Sequence, residues 1–365
     1  MFKKYWIAFA AVLAVATSIV VVLPTVEATA DDGACYGKAY ITGSSTNELM
    51  IVDTVTNTVD TTLTAGLDSP VGFVISPDGG FGYLANSGSD EILKYDLATN
   101  SVVETYSGLL TPYYIGITPD GSKIAVSEVA SGANSVAIID TTSGAMTRVS
   151  LSASPFELLI NNAGSKIYVA GSNTIWSIDL TTETVLATIS TTGSGLGMGI
   201  TPDDSKVYIA QGSSAGRVDV VDTATDTLLT PIMSTDGPYW ITVSPDGSTV
   251  WSVLYDADPG QVIRIDTATD TIVATLTLNG VPNPYLSGVT ADGSQFYVFG
   301  YDPGTNVIDP STDAVAVAGW TAPGDPWDFR TCPVAVPPAP TTSTTVPGPT
   351  TTTAGTDPVV PAFTG

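Results

Sequence analysis

From residue 38 to residue 331 the chain is a succession of short apolar runs rich in valine, isoleucine, threonine and tyrosine, separated by clusters of glycine, proline, aspartate and asparagine. Such residue types fit a pleated, half-buried surface, so the runs predict strands. No stretch among them has a 3.6-residue apolar period with caps. The pattern also has a long period. Asp53, Asp96, Asp140, Asp179, Asp222, Asp266 and Asp309 lie 43, 44, 39, 43, 44 and 43 residues apart, each closing an apolar run such as IIDT or VVDT. A period near 43 residues marks a repeat array of the solenoid or propeller kind.

Each unit reads as four strands. The copy TPYYIGITPDGSKIAVSEVASGANSVAIIDTTSGAMTRV (111–149) shows the plan. A first strand, such as Tyr239–Val243, ends at a Pro-Asp-Gly turn, where proline presets φ and glycine accepts a positive one. A second follows, such as Lys206–Gln211, then a variable Gly/Ser/Asn loop. A third, such as Arg217–Asp222, leads through a DTATDT turn to a fourth, such as Thr271–Leu276. The second-to-fourth-strand portion occurs seven times. The first-strand portion also occurs seven times, at Pro70, Pro112, Pro155, Gly195, Pro238, Pro284 and Pro326. Its last copy, PWDFRTC, has no blade after it, and the first blade, AYITGSSTNELMIVDTVTNTVDTTL, has no first strand before it. Joining the two predicts an all-β, seven-bladed β-propeller of four-stranded blades over residues 31–334, its ring closed by the C-terminal strand pairing into the first blade. Closure removes the exposed edges of an open array. The only cysteines, Cys35 and Cys332, flank that closing sheet, so a disulfide between them is expected.

The termini have a different composition. Lys3 and Lys4 precede an apolar stretch from Tyr5 to Leu23, and Ala28-Thr29-Ala30 offers the small residues of a cleavage site. Residues 1–30 therefore read as a secretory signal, with an uncleaved N-terminal anchor as the alternative. Residues 335–365 are rich in proline and threonine and lack a core-forming set, which predicts a disordered stalk. Both features place the folded part outside the cytoplasm, and leave membrane or cell-wall association through the termini open.

The chain carries 36 acidic and 11 basic residues, a formal net charge of −25. No basic cluster occurs, which argues against nucleic acid as a partner.

Segments such as GITPDGSKIAVS, GITPDDSKVYIAQG and VDVVDTATDTLLT resemble the YVTN-type repeats of YncE-like secreted and surface-layer propellers of prokaryotes. The resemblance spans residues 39–331. It implies the fold, an extracellular place and a binding or surface-structural role. It implies no catalytic residue, because the motif positions are turn and core residues.

Histidine is absent from the sequence. Ser-His-Asp triads, Cys-His pairs and most zinc sites are thereby excluded. Gly212-Ser213-Ser214-Ala215-Gly216 matches a nucleophile elbow in letters only, since it lies between two strands with no base. The glycine run Gly193–Gly199 enters a strand rather than a helix, so it is read as easing backbone packing near the axis and not as a phosphate loop. Asp256, Asp258 and Gly260 resemble part of a calcium loop, with Thr267 where its glutamate would stand. No cofactor is expected, calcium being the one ion left open.

The candidate site comes from aligning the first strands. The two positions after the proline gather Tyr113, Tyr114, Glu157, Tyr239, Trp240, Tyr285, Trp327 and Asp328. On innermost strands they would crowd one mouth of a central channel, an aromatic surface with two acids suited to a sugar ring or a cationic group. The alternative is that the aromatics wedge neighbouring blades. The expected function is a non-catalytic binding module for a glycan, peptide or cell-surface protein, monomeric or arrayed. A lactonase-like or quinoprotein-like enzyme using Glu157, Asp328 and an ion is one alternative, and an architectural surface-layer component is the other.

Overall fold

The recurring element is an antiparallel meander whose turns are capped by its own side chains. In the computed structural model, which describes residues 35–212, 216–300 and 304–332, Pro238–Val243 pairs with Thr249–Leu254. That strand pairs with Gln261–Asp266, which in turn pairs with Thr271–Thr277. At the first turn the Ser244 hydroxyl and the Ser248 N–H both donate to Asp246 Oδ1, while Gly247 takes φ +72°, open to glycine at no steric cost. The second turn explains the seven recurring aspartates. Oδ1 of Asp53, Asp96, Asp140, Asp179 and Asp222 accepts two backbone N–H bonds at 2.7–3.1 Å. They are turn caps, as their side-chain chemistry favours.

Among the described residues the chain is all-β apart from one 3-10 turn at Ser87–Ser89. The strands form five four-stranded sheets and one seven-stranded sheet. The larger one arises because Thr184–Ile200 runs unbroken: it pairs with Lys166–Asp179 through its first half and with Lys206–Gln211 through its second. Its extended Thr-Thr-Gly-Ser-Gly link, residues 191–195, contains no turn. The shortest repeat spacing, 39 residues, falls in the same sheet, where Asn173 at φ +57° sits between the two halves of Lys166–Asp179.

The ends of the repeat region meet. Lys38–Gly43 pairs with Glu48–Asp53 on one side and with Pro326–Thr331 on the other, Ile41 opposite Phe329. A Cys35–Cys332 disulfide joins the same two segments, with Cα atoms 5.5 Å apart. The chain divides into units 1–334 and 335–365. The expected leader (1–30) and stalk (335–365) lie outside the described residues.

Sheets are wedged and clamped to one another by a repeated pair of devices. A ring at the second or third residue of six second strands, Tyr40, Tyr83, Tyr168, Tyr208, Trp251 and Tyr297, is buried. Burying one such ring contributes about 2–3 kcal/mol. A lysine beginning the same strand reaches a later turn acid: Lys123 to Glu183 at 3.0 Å in a later sheet, Lys166 to Asp226 at 3.0 Å within the seven-stranded sheet, and Lys206 to Asp270 at 2.7 Å in the sheet after it. Tyr168 and Tyr208 donate their hydroxyls to the last two of these acids. Between the final and first sheets, where no such lysine stands, Trp320 Nε1 donates to Asn57 Oδ1 at 3.0 Å.

Candidate functional site

Seven strand segments face a central channel: Pro70–Ile75, Pro112–Ile117, Pro155–Ile160, the end of Thr184–Ile200, Pro238–Val243, Pro284–Val289 and Pro326–Thr331. Six begin with proline, which lacks the N–H a central strand needs and so suits a sheet edge. Glycine lets these strands approach one another. A Cβ on Gly72 would lie 2.6 Å from Tyr113 O, and one on Gly197 would lie 2.5 Å from Trp240 Cα. The run Gly193–Gly199 thus belongs to backbone packing.

At the starting ends of these strands the predicted aromatic residues assemble into one layer. Tyr113 meets Tyr114 edge-on at 5.2 Å and Trp327 at 5.3 Å, and Tyr114 meets Trp240 at 5.8 Å. Two other channel strands lie between those bearing Tyr114 and Trp240, so this contact spans the bore. Tyr239 stacks on Tyr255 at 5.0 Å and meets Tyr285 edge-on at 6.3 Å. Tyr114, Trp240 and Tyr285 are 4, 7 and 7% exposed, whereas Tyr113, Tyr239 and Trp327 are half-buried. The ring faces expected to take a sugar are largely spent on one another.

Below this layer lies a cavity of about 460 Å³, lined by all seven segments. Its walls mix polar surface with aliphatic side chains, Ile117, Leu159, Ile200 and Val243 among them, and charge enters through Glu157, Asp328 and Arg330. The register of the inner strands shifts just after the proline, which takes N–H groups out of the ladder. The two predicted acids collect two of these from the adjacent strand. Phe73 N–H donates to Asp328 Oδ2 at 2.8 Å, and Met198 N–H donates to Glu157 Oε2. Arg330 Nε donates to Phe73 O at 3.1 Å and lies 3.0 Å from Asp328 Oδ1. Asp328 and Arg330 therefore grip the N–H and C=O of one residue from a single strand.

The three charges are not equally matched. Asp328, 1% exposed, also accepts Phe329 N–H at 2.9 Å. Burial raises its pKa, while Arg330 and the two N–H donors work against that rise. Glu157, 4% exposed, has one hydrogen bond among the described residues, through Oε2. Burial pushes its carboxyl well above the ordinary range; Arg330 opposes this, Asp328 reinforces it, and Met198 N–H opposes it. Burial works against the charge on Arg330, but Asp328 foremost outweighs it and holds the guanidinium pKa above its ordinary value. Enclosed within the fold, the Arg330 side chain still meets channel space over 39% of its area, and its two Nη groups make no hydrogen bond among the described residues. Tyr114, beside these groups, has its hydroxyl pKa raised well above normal by burial and then by Glu157.

The sequence reasoning missed Arg330. It compared the first two positions after the proline, whereas Arg330 occupies the fourth, where its counterparts are Val74, Gly116, Leu159, Gly199, Thr242 and Gly288. A lone charge in that column was the available signal. Asp256 and Asp258 join no group of three or more acidic, cysteine or histidine residues among the described residues. Ser213, Ser214 and Ala215 of the elbow-like segment lie outside them.

No family model and no curated protein matches the chain. Solved structures do. A functionally unknown protein from Desulfotomaculum acetoxidans superposes with TM-score 0.69 at 15% identity, over 81% of this chain and 99% of that one. Hydrazine synthase of Kuenenia stuttgartiensis gives 0.60 at 22%, over 68% and 79%. Dihydro-heme d1 dehydrogenase NirN, in complex with DHE, gives 0.59 at 14%, over 81% and 75%. The chain shares the β-propeller fold. At these identities the likeness carries fold alone.

Proposed function

We propose that this chain is an extracellular, non-catalytic β-propeller of the YVTN-type, YncE-like kind, with seven blades in a closed ring, and that it binds a small ligand in its channel. The observation that carries the reading is the cavity: about 460 Å³, lined by seven strand segments below an aromatic layer, with aliphatic side chains interspersed with polar surface and with Glu157, Asp328 and Arg330 converging on it. Concave apolar sites with a few convergent polar groups are the usual form of a small-molecule site. The seven-blade count divides the long Thr184–Ile200 strand between two blades, and closure rests on the pairing of Lys38–Gly43 with Pro326–Thr331. The disulfide supports an oxidising, extracellular setting.

The test is a ligand-observed NMR screen of a few hundred small molecules against residues 31–365 and against Leu159→Trp, which narrows the bore. Hits weakened by the substitution support the channel site; an empty screen, or hits indifferent to it, would refute it. A glycan held at the aromatic end is the second reading, favoured by the half-buried Tyr113, Tyr239 and Trp327. Loss of glycan-array signal in Trp327→Ala would identify it.

A further inference from the structure

We propose that the aromatic end of this cavity is a seat for the carboxylate of a small amphipathic monocarboxylic acid, gripped by the Nη groups of Arg330 and by Glu157 acting as a hydrogen-bond donor, with the apolar body of the acid along Ile117, Leu159, Ile200 and Val243. The inference rests on the channel being the ligand site.

Three observations converge on it. The first is which atoms remain unused. Asp328 accepts from Phe73, Phe329 and Arg330, and the nearby hydroxyls of Thr242 and Ser287 bond each other at 2.9 Å. Among the described residues this leaves the two Arg330 Nη groups and Glu157 Oε1 without a hydrogen bond, all on groups that line the cavity. A guanidinium with its Nη groups free matches the geometry of a carboxylate.

The second is the state of Glu157. The charged or titratable groups acting on it are Arg330 and Asp328, and Tyr114 is the further titratable side chain beside it. Burial dominates and favours the neutral acid, whose O–H donates. Arg330 and Glu157 are then both donors, and an anion with two acceptor oxygens satisfies both. The third is the wall, whose side chains toward the turn-side rim include Ile75, Ile117, Ile160 and Ile200, with polar surface between them. Such a mixed lining suits an amphipathic molecule. The net charge of −25 opposes an anion at long range, but at about 0.15 M salt the screening length is about 8 Å. Affinity should therefore rise modestly with salt.

The experiment is calorimetric titration of residues 31–365 with octanoate, octylammonium and octanol between pH 5 and 8. Octanoate is expected to bind best, and to weaken where the pH rises through the raised pKa of Glu157. Arg330→Gln should weaken octanoate about 10- to 100-fold, the range of a charge-assisted hydrogen bond. Glu157→Gln keeps an acceptor for Met198 N–H and a donor toward the cavity. It should hold affinity within about threefold and abolish the pH dependence. If Arg330→Gln does not fold, the wild-type Arg330 Nε resonance carries the test, and it should shift on addition of octanoate. Octylammonium binding better than octanoate, with affinity rising with pH and lost in Glu157→Gln, would overturn the carboxylate seat while leaving the channel site standing. Binding of none of the three would remove the channel site as well.

Discussion

Breaking the Cys35–Cys332 bridge should cost this protein a large part of its stability. The two residues are 297 apart in sequence. In the chain-entropy treatment a cross-link of that span restricts the unfolded chain by about 5 to 6 kcal/mol at 25 °C. Both cysteines are buried, at 0 and 8% exposure, so a reductant has poor access to the native bond. Substitution is the cleaner perturbation. We expect Cys35→Ala with Cys332→Ala to unfold about 1 M earlier in guanidinium chloride, for a slope of about 5 kcal/mol per M. Tryptophan fluorescence should report this, because Trp176 and Trp251 are buried between sheets. The single variants supply the critical comparison. Each already lacks the bond, so each should lose nearly as much as the double variant, leaving a large non-additivity. Two small losses that simply add would refute the account, since they would mean that each thiol contributes only its own packing.

Four further outcomes follow from the packing and the charges. Gly197→Ala places a Cβ 2.5 Å from Trp240 Cα, and should cost about 1–3 kcal/mol in a denaturation experiment through forced separation of two inner strands. Lys206→Met, which breaks the 2.7 Å clamp to a partly exposed Asp270, should cost about 1 kcal/mol or less, read by a double-mutant cycle with Asp270→Asn. Asp120 and Asp203 are held down to about 2, chiefly by the hydroxyls of Thr118 and Thr201. Because the folded values lie below the unfolded ones, their contribution is present above about pH 4 and disappears as pH falls toward 2. Equilibrium unfolding at stepped pH should show that acid limb, and Asp120→Asn with Asp203→Asn should flatten it. Glu157 has the opposite sign: its raised folded value makes its contribution favourable at low pH and lost as pH rises through that value, so Glu157→Gln should reduce the alkaline fall in stability.

Much of the fold was legible because its signals are local. The repeating aspartates mark turns in which one carboxylate oxygen caps two N–H groups, and the Pro-Asp-Gly segments mark turns that need a positive φ. Lys206–Gln211 and Arg217–Asp222 appear as strands with the bounds read from the sequence. The pairing of the first repeat with the last strand followed from counting, and the disulfide from the proximity that pairing creates. The candidate site was less legible, because it depends on where side chains from non-adjacent strands meet. Alignment placed Tyr114 and Trp240 in one column but could not show that the rings touch across the bore and cover one another. Glu157 and Asp328 were read as ligand groups, yet each first serves a neighbouring strand by accepting an N–H displaced by the register shift. Arg330 was visible only as an exception in a column otherwise of small and apolar residues and one threonine. The unbroken Thr184–Ile200 strand was hidden for a related reason. Its glycine-rich link was read as an entry to one strand, whereas it also continues the preceding one.

The most direct test is a crystal structure of residues 31–365 soaked with octanoate near pH 5. The account predicts a closed seven-bladed ring, with the ligand carboxylate between Arg330 and Glu157 and its tail along the aliphatic side chains of the wall. A bore that remains free of octanoate, or octanoate bound elsewhere while the Arg330 and Glu157 side chains turn toward each other, would contradict it.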